Sequence, residues 1–339
     1  MLKPSAPPLN PVPYRVLIAA GGTAGHIFPA RQLKEDLEGA QVIFAGHKLA
    51  TNPFFEPELH AFFEVASGGT LKAFHRILFG IWQSVRVILR VRPEVVVGFG
   101  SYHSFPVLLA AALLRKKMVL FEANCSLGKV NRWFSPFAKK IAFQFSPMAG
   151  KKVVYVPLLP WRRRQTVKKY EKDPEKFTIL VFGGSQGAAF INETFPQAAH
   201  LLSFPIQVIH FTGKTKSLIK YSVPNVVAEF EADMHAAYTV ADIVVCRSGA
   251  STVAELIQYQ KPAVVIPYPY AYAHQRKNGE FLGKGAIVLA QEEATPERLS
   301  QAIGSLRENL EKHKEALRKM VFLPTISLAE IVKQVARGV

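Results

Sequence analysis

The sequence predicts an α/β chain of two doubly wound, Rossmann-like domains facing a cleft. Three observations point there. Short β-branched runs alternate with helical patterns along nearly the whole length, as in parallel sheets built from βαβ units. The alternation starts afresh after a middle stretch rich in proline and charge. The 339 residues exceed one ordinary small domain, and 49% hydrophobic with 20% charged residues supplies large cores and excludes a disordered chain.

In the first domain the expected strands are residues 14–20, 41–46, 94–100, 117–123 and 140–145. The first runs into Gly21-Gly22-Thr23-Ala24-Gly25-His26, and the spacing Ile27, Ala30, Leu33, Leu37 then opens a helix. Glycines at such a turn let backbone N–H groups approach a phosphate or sugar, and the helix N-terminus adds positive potential. The spacing is not G-x-G-x-x-G, and the second strand ends in Ala45-Gly46-His47 without the acidic residue that a nicotinamide ribose needs. No Gly-Lys-Ser/Thr follows, so a Walker loop fails as well. His26 has two readings, a general base near neutral pH or a capping or packing histidine.

Residues 71–92 read as one helix. At 100° per residue, Leu71, Phe74, Leu78, Ile81, Val85 and Ile88 form an apolar arc, and Lys72, Arg76, Gln83, Arg86 and Arg90 form a separate polar arc. Phe79 falls among those cations and Trp82 on the border. No acidic residue occurs from 65 to 93, so the pattern suits an interfacial helix on anionic lipid or an ordinary helix with a solvated basic face.

Residues 157–176 lack periodicity and read as a linker, which divides the chain into 1–160 and 161–325. The expected strands of the second domain are 177–183, 205–212, 226–230, 242–246, 262–267 and 286–290. The first of these enters a second glycine loop, Gly183-Gly184-Ser185-Gln186-Gly187-Ala188. Two such loops suit a donor and an acceptor; a tight turn that binds nothing is the plainer reading. In Cys246-Arg247-Ser248-Gly249-Ala250-Ser251-Thr252-Val253-Ala254-Glu255, small residues expose a helix start to a diphosphate, and Glu255 is placed to accept hydrogen bonds from ribose hydroxyls. Thr252 and Glu255 also fit a capping box, in which the carboxylate merely satisfies a backbone N–H. Downstream, His274, Gln275 and Asn278 form an uncharged polar set suited to sugar hydroxyls.

Charge and cysteine usage narrow the partners. Lys and Arg total 42 against 25 Asp and Glu, a formal net charge of +17, so an anionic partner is expected: nucleic acid, a phosphorylated ligand or an acidic membrane surface. Nucleic acid is disfavoured by the lack of an RNP, zinc-finger or helix-turn-helix signature. Cys125 and Cys246 lie far apart and suggest a reducing cytosol rather than a disulfide framework. The first ten residues lack the apolar core of a signal peptide, and no run approaches the roughly 18 apolar residues that span a bilayer. Asp36, Asp173, Asp233 and Asp242 are isolated from one another, so no Asp-x-Asp element is present; neither a tightly bound metal nor another cofactor is expected.

In order and spacing, Gly21 to His26, Gly183 to Ala188, Cys246 to Glu255 and the His274-Gln275 to Asn278 segment resemble the MurG family of bacterial transferases over nearly the whole chain. Cys-Arg-Ser-Gly-Ala with the downstream Glu is highly specific to that family. The resemblance implies a GT-B glycosyltransferase fold whose last helix, near 327–337, crosses back to the first domain. It implies inverting transfer of N-acetylglucosamine from UDP-GlcNAc to the 4-hydroxyl of a lipid-linked N-acetylmuramyl-pentapeptide, at the cytoplasmic face of the bacterial inner membrane. It places Thr23, Ala24 and Gly25 at the sugar donor and His26 near the reacting centre. Asn124 matches a donor-site Asn, and Arg162 matches the Arg of an Asn-Pro-x-Arg element. Ser185 and Gln186, the helix start Ala250, Ser251, Thr252, Val253, Ala254 and Glu255, and His274, Gln275 and Asn278 complete the nucleotide-sugar pocket. Glu255 would hold the ribose, and Glu231, where the family often has an aliphatic residue, would lie near the uracil with a backbone contact.

The sequence departs from the family at Ala24, Phe121, Ala123 and Leu159. Ser101 and Phe105 also replace glycines in the loop 100–106 that would face the acceptor. A lipid-linked acceptor favours the membrane reading of the helix at 71–92, with Lys72, Arg76, Phe79, Trp82 and Arg86 meeting anionic lipid. The rival within enzymes is another two-domain UDP-sugar enzyme, such as a UDP-N-acetylglucosamine 2-epimerase, which needs no lipid acceptor.

Overall fold

The computed structural model describes residues 14–68, 74–145, 149–156, 170–184, 186–214, 219–231, 233–270, 274–320 and 326–338. The chain forms two compact units, Met1–Leu159 with Leu323–Val339, and Pro160–Phe322.

The first unit holds a seven-stranded parallel sheet. Its strands are β1 (Tyr14–Ala19), β2 (Ala40–Gly46), β3 (Phe62–Glu64), β4 (Val95–Gly98), β5 (Met118–Glu122), β6 (Lys140–Phe143) and β7 (Val153–Tyr155), in the order β3-β2-β1-β4-β5-β6-β7. Helices cover both faces, so the central strands are continuous apolar runs rather than alternating ones. On one face, α1 (Ala24–Asp36) contributes Ile27, Ala30 and Leu33 to a core shared with Val16, Ile18, Val97 and Phe121. On the other, α2 (Phe74–Val91), α3 (Phe105–Leu113) and α4 (Lys129–Phe134) pack over Leu17, Val96 and Leu120. The edge strands β3 and β7, three residues each, were not read from the sequence.

The first core is completed by the end of the chain. Helix α11 (Leu328–Arg337) buries Leu328, Ile331, Val332 and Val335, an i, i+3, i+4, i+7 stripe, in the core that holds α1. Ser327 caps its start by accepting from the Glu330 N–H. At its other end Gly338 takes φ +87°, and Lys117 Nζ donates to the Ala336 carbonyl at 2.9 Å. A cation there also complements the helix dipole.

The second unit repeats the topology with β8 (Phe177–Phe182), β9 (Ile206–Phe211), β10 (Asn225–Ala228), β11 (Ile243–Cys246), β12 (Ala263–Val265) and β13 (Ala286–Val288), ordered β10-β9-β8-β11-β12-β13. Its helices are α5 (Ala189–His200), α6 (Met234–Val240), α7 (Ala250–Gln258), α8 (His274–Phe281), α9 (Pro296–Glu308) and α10 (Leu310–Arg318). Within each sheet the chain reverses direction of travel beside its first strand, β1 between β2 and β4, and β8 between β9 and β11. Loops leaving the carboxyl ends of those neighbouring strands diverge and open a crevice.

Two expectations need correction. The stretch read as linker is already docked on the second unit by residue 170: Tyr170 is buried and donates its hydroxyl to Glu231, and Lys172 pairs with Asp242 at 2.6 Å. Residues 157–169 lie outside the described residues. The second correction concerns α2, whose buried residues are Ile77, Gly80, Ser84, Val87, Ile88 and Val91 rather than the arc through Phe74 and Leu78. Gly80 sets this face. A Cβ there would lie 1.8 Å from the Ala66 carbonyl oxygen, so glycine lets the helix press against the backbone. Gln83, expected on the solvated arc, turns inward, and its Oε1 accepts from the Ala66 N–H at 2.8 Å. Phe74, Leu78, Phe79, Trp82 and Leu89 are left exposed, each by half or more.

Candidate active site

In the first unit the loop after β1 and the loop after β4 leave adjacent strands. Gly22 takes φ +93°, and Asn52 Nδ2 holds its carbonyl at 2.7 Å. Thr23 is exposed at the N-cap of α1, whose first turn carries no acidic side chain, so the helix end keeps its positive potential; Ala24 and Gly25 form that turn. His26 follows, with Nδ1 2.8 Å from the Phe99 carbonyl oxygen. A carbonyl can only accept. Nδ1 therefore carries the proton, and Nε2 keeps a free lone pair. Burial lowers the His26 pKa, against the opposing pull of the Phe99 carbonyl and the Glu122 charge, so the ring is neutral at pH 7 and available as a base.

Glu122 was not singled out in the sequence, yet it organises this half. Its buried carboxylate accepts from the Asn124 N–H and Nδ2 at 3.1 and 2.9 Å on one oxygen, and from the Gly128 N–H and Asn131 Nδ2, both at 2.9 Å, on the other. Asn124 is thus placed through Glu122. The signal was legible as an acid closing an otherwise apolar strand, Met118 to Glu122. Ser101 keeps the conformation that a glycine would favour, φ +79°, and its Oγ accepts from the His103 N–H at 3.1 Å. Phe105 turns its ring toward α4, with centroids 5.8 Å from Trp133 and 5.5 Å from Phe134. Both departures from glycine are absorbed locally.

In the second unit the loops after β8 and β11 again leave adjacent strands. Gly183 and Gly213 are required by close approach: a Cβ on either would sit 2.2 Å from a backbone nitrogen, of Ala188 and Gly187 respectively. Gly184 has φ +89° and nothing within 4 Å of an added Cβ, so its outer face is open, and Gln186 beside it is exposed. Ser185 and Arg162 lie outside the described residues.

Helix α7 starts at Ala250, after Gly249 at the N-cap, and has no acidic residue in its first turn and no side-chain cap. Thr252 is therefore inside the helix, and the capping-box reading of Glu255 fails. The carboxylate instead accepts from Tyr238 Oη at 2.8 Å. Burial pushes the Glu255 carboxyl up to about 7, with the Tyr238 hydrogen bond opposing it. Ser251 is exposed at the helix start, whereas Val253 and Ala254 are core residues with buried side chains.

Three further expected residues are held by protein partners. Asn278 is fully buried, and its Nδ2 holds the Ser248 carbonyl at 3.3 Å, so it shapes the loop after β11 rather than presenting an amide to a sugar. Gln275, beside His274 at the start of α8, accepts from the Tyr268 N–H at 2.9 Å and receives the Ser248 hydroxyl on its carbonyl at 2.7 Å. Glu231 turns inward to Tyr170 and to the Asp233 N–H at 2.8 Å. Arg247, unassigned from sequence, is 7% exposed and holds the Ile266 and Pro267 carbonyls at 2.9 and 3.2 Å and Gln291 at 2.6 Å, which fixes the turn leading to α8.

Of the surface residues expected on α2, Arg76, Phe79, Trp82 and Arg86 are exposed; Lys72 lies outside the described residues. Phe79 stacks on Trp82 at 5.6 Å, and the Arg86 guanidinium lies 4.7 Å over the Trp82 ring.

Comparison with known proteins follows the same division. Residues 16–143 match the glycosyltransferase family 28 N-terminal domain and residues 178–334 the C-terminal domain. The chain is 36% identical to a Protochlamydia amoebophila protein over 94% of its own length and 95% of the relative's, and 33% identical to a Haemophilus ducreyi protein over 95% and 98%. Both relatives are named UDP-N-acetylglucosamine–N-acetylmuramyl-(pentapeptide) pyrophosphoryl-undecaprenol N-acetylglucosamine transferase. The crystal structure of Acinetobacter baumannii MurG superposes with a TM-score of 0.79 at 27% identity, covering 95% of this chain and 100% of that one. The calicheamicin glycosyltransferase CalG4, at 14% identity and a TM-score of 0.69, shares the fold alone over 91% of this chain and 93% of its own.

Proposed function

The chain belongs to glycosyltransferase family 28, and on that premise we propose that it transfers N-acetylglucosamine from UDP-GlcNAc to the 4-hydroxyl of lipid-linked N-acetylmuramyl-pentapeptide in peptidoglycan synthesis. The muramyl hydroxyl attacks the anomeric carbon, its proton passes to a base, and UDP leaves, so the configuration inverts. His26 is the base: its Nε2 lone pair is free because Nδ1 is committed to Phe99. Negative charge that grows on the departing diphosphate meets the start of α7 and the open face of Gly184. Glu255 takes the ribose hydroxyls, and Asn124, held by Glu122, contacts the transferred sugar. The observation that carries the donor half is an uncapped helix start without acidic residues, followed within the same helix by a partly buried carboxylate.

The acceptor's lipid calls for a membrane surface, and α2 supports one. Its exposed Phe74, Leu78, Phe79, Trp82 and Leu89 lie beside Arg86 and Arg90, which have no carboxylate partner among the described residues and border a groove that also reaches Phe63, Val87 and Leu89. Leu113 and Phe137 add exposed apolar surface next to Arg115, Lys116 and Lys139. No helix among the described residues is long and apolar enough to cross a membrane. The contact proposed is peripheral, at the cytoplasmic face of the bacterial inner membrane.

The test is transfer of labelled N-acetylglucosamine from its UDP donor to a lipid-linked muramyl-peptide analogue, by wild type and His26→Ala. Transfer by the wild type and a loss of roughly 10²- to 10⁴-fold in kcat for the variant are expected. Absence of wild-type transfer would sink the function, and release of free isomerised sugar without acceptor would favour an epimerase. Full activity in His26→Ala would remove only its role as base.

A further inference from the structure

We propose that Tyr238 is a positioning residue that holds Glu255 for the ribose of the nucleotide donor; the inference rests on the ribose role just assigned to Glu255. Tyr238 lies on α6, is fully buried, and donates its hydroxyl to Glu255 Oε2 at 2.8 Å. Its ring is clamped. Tyr259, at the C-cap of α7, stacks on it with centroids 4.8 Å apart and planes 9° from parallel, and Phe182 at the end of β8 meets it edge-on at 6.1 Å. The Tyr259 hydroxyl in turn lies 3.1 Å from His235 Nδ1 on α6. Helices α6 and α7 are thus joined at two points one turn of α7 apart.

This arrangement gives the carboxylate one fixed oxygen and, among the described residues, leaves Oε1 for a ligand. A freely rotating glutamate would lose rotamer entropy when the nucleotide arrived, whereas one already held has little left to lose. Tyr238 is suited to the task because burial and the Glu255 charge raise its pKa well above the ordinary phenol value, which keeps it a hydrogen-bond donor. The other titratable groups around the carboxylate are Cys246 on β11, kept as a neutral thiol by burial, and Tyr259 and His235 beyond the Tyr238 ring.

The chemistry also predicts a pH signature. Ribose hydroxyls donate to the ionised carboxylate, and the Tyr238 hydrogen bond lowers the Glu255 pKa that burial raises. Removing the hydroxyl while keeping the ring should move the pH midpoint of UDP affinity upward, which a purely structural tyrosine would not do.

The experiment is calorimetric titration of the full chain with UDP and with its 2′-deoxy counterpart, from pH 6 to 9, for wild type and Tyr238→Phe. At pH 7 the variant should bind UDP roughly tenfold more weakly, as expected for a lost hydrogen bond to a charged group. Its pH midpoint should rise, and its preference for UDP over the deoxy form should shrink. Tyr259→Leu, which removes the clamping ring but no hydrogen bond of Glu255, should move the midpoint the same way by less and serves if Tyr238→Phe does not fold. Unchanged midpoint and unchanged deoxy preference in the folded variants would overturn the inference alone. Failure of UDP to bind the wild type would overturn the donor reading and the inference with it.

Discussion

Replacing Glu255 by Gln separates what this carboxylate does for the ligand from what it costs the fold. Burial raises the group from an ordinary 4.5 to about 7. Between those values the unfolded chain is ionised and the native one protonated, so folding takes up a proton and stability falls as pH rises through the window. Above it the native state carries the full cost of a partly buried charge. At 1.36 kcal/mol per pKa unit, the rise from 4.5 to about 7 gives an upper limit of ~3.4 kcal/mol, and partial solvent access reduces this to about 1–3 kcal/mol. Gln is uncharged in both states and can still accept the Tyr238 hydroxyl. Urea unfolding should therefore find Glu255→Gln close to wild type at pH 4.5 and more stable by about 1–3 kcal/mol at pH 8.5. UDP affinity at pH 8.5 should fall by roughly tenfold, because a neutral acceptor replaces a charged one. A stability difference that is the same at both pH values, or a variant less stable at pH 8.5, would refute the reasoning.

Three other perturbations follow from the structure. His210 is fully buried between Tyr221 and Asn192, and burial lowers its pKa to about 4; stability should be complete above about pH 6.5, the unfolded value, and be lost by up to ~3 kcal/mol as pH falls to 4, a slope that His210→Phe should flatten in urea titrations. At Ser101, with φ +79°, Ser101→Val should lower stability by about 2 kcal/mol in urea unfolding, while Ser101→Gly should be neutral or stabilising by up to ~1 kcal/mol, the relief of strain outweighing the lost bond to the His103 N–H. Phe79→Ser with Trp82→Ser should weaken sedimentation with anionic vesicles by at least about tenfold and leave UDP affinity unchanged; equal vesicle binding would return α2 to an ordinary solvated surface.

Much of the architecture was legible because it is written in consecutive residues. Strand, glycine turn and helix start follow one another at Gly21–His26, Gly183–Ala188 and Cys246–Ala250, and the paired repeats of that unit predict two parallel sheets. The edge strands β3 and β7 were missed, whereas the equally short β12 and β13 were read because they lie in the longer apolar runs 262–267 and 286–290. On α2 the periodicity was read correctly as helical but assigned to the wrong face. Gly80 and Ser84 do not count as apolar in a pattern, yet they permit the closest approach to the rest of the fold. Hydrophobicity shows that a helix has a buried side; steric fit chooses it.

The candidate site divides in the same way. Residue types and spacing by themselves determined that His26 heads a helix, that Glu255 follows a helix start rich in small residues, and that positive charge collects around α2. What each side chain does was decided by partners far along the chain. Phe99, 73 residues from His26, selects its tautomer. Tyr238 takes up the Glu255 carboxylate that a capping box would otherwise have explained, and Tyr170 draws Glu231 inward. Asn278 spends its amide on the Ser248 backbone. Local backbone preference and periodicity depend on neighbours in sequence and can be read there. Tautomer, ionisation and side-chain direction depend on burial and on hydrogen-bond partners that only the tertiary fold brings within reach.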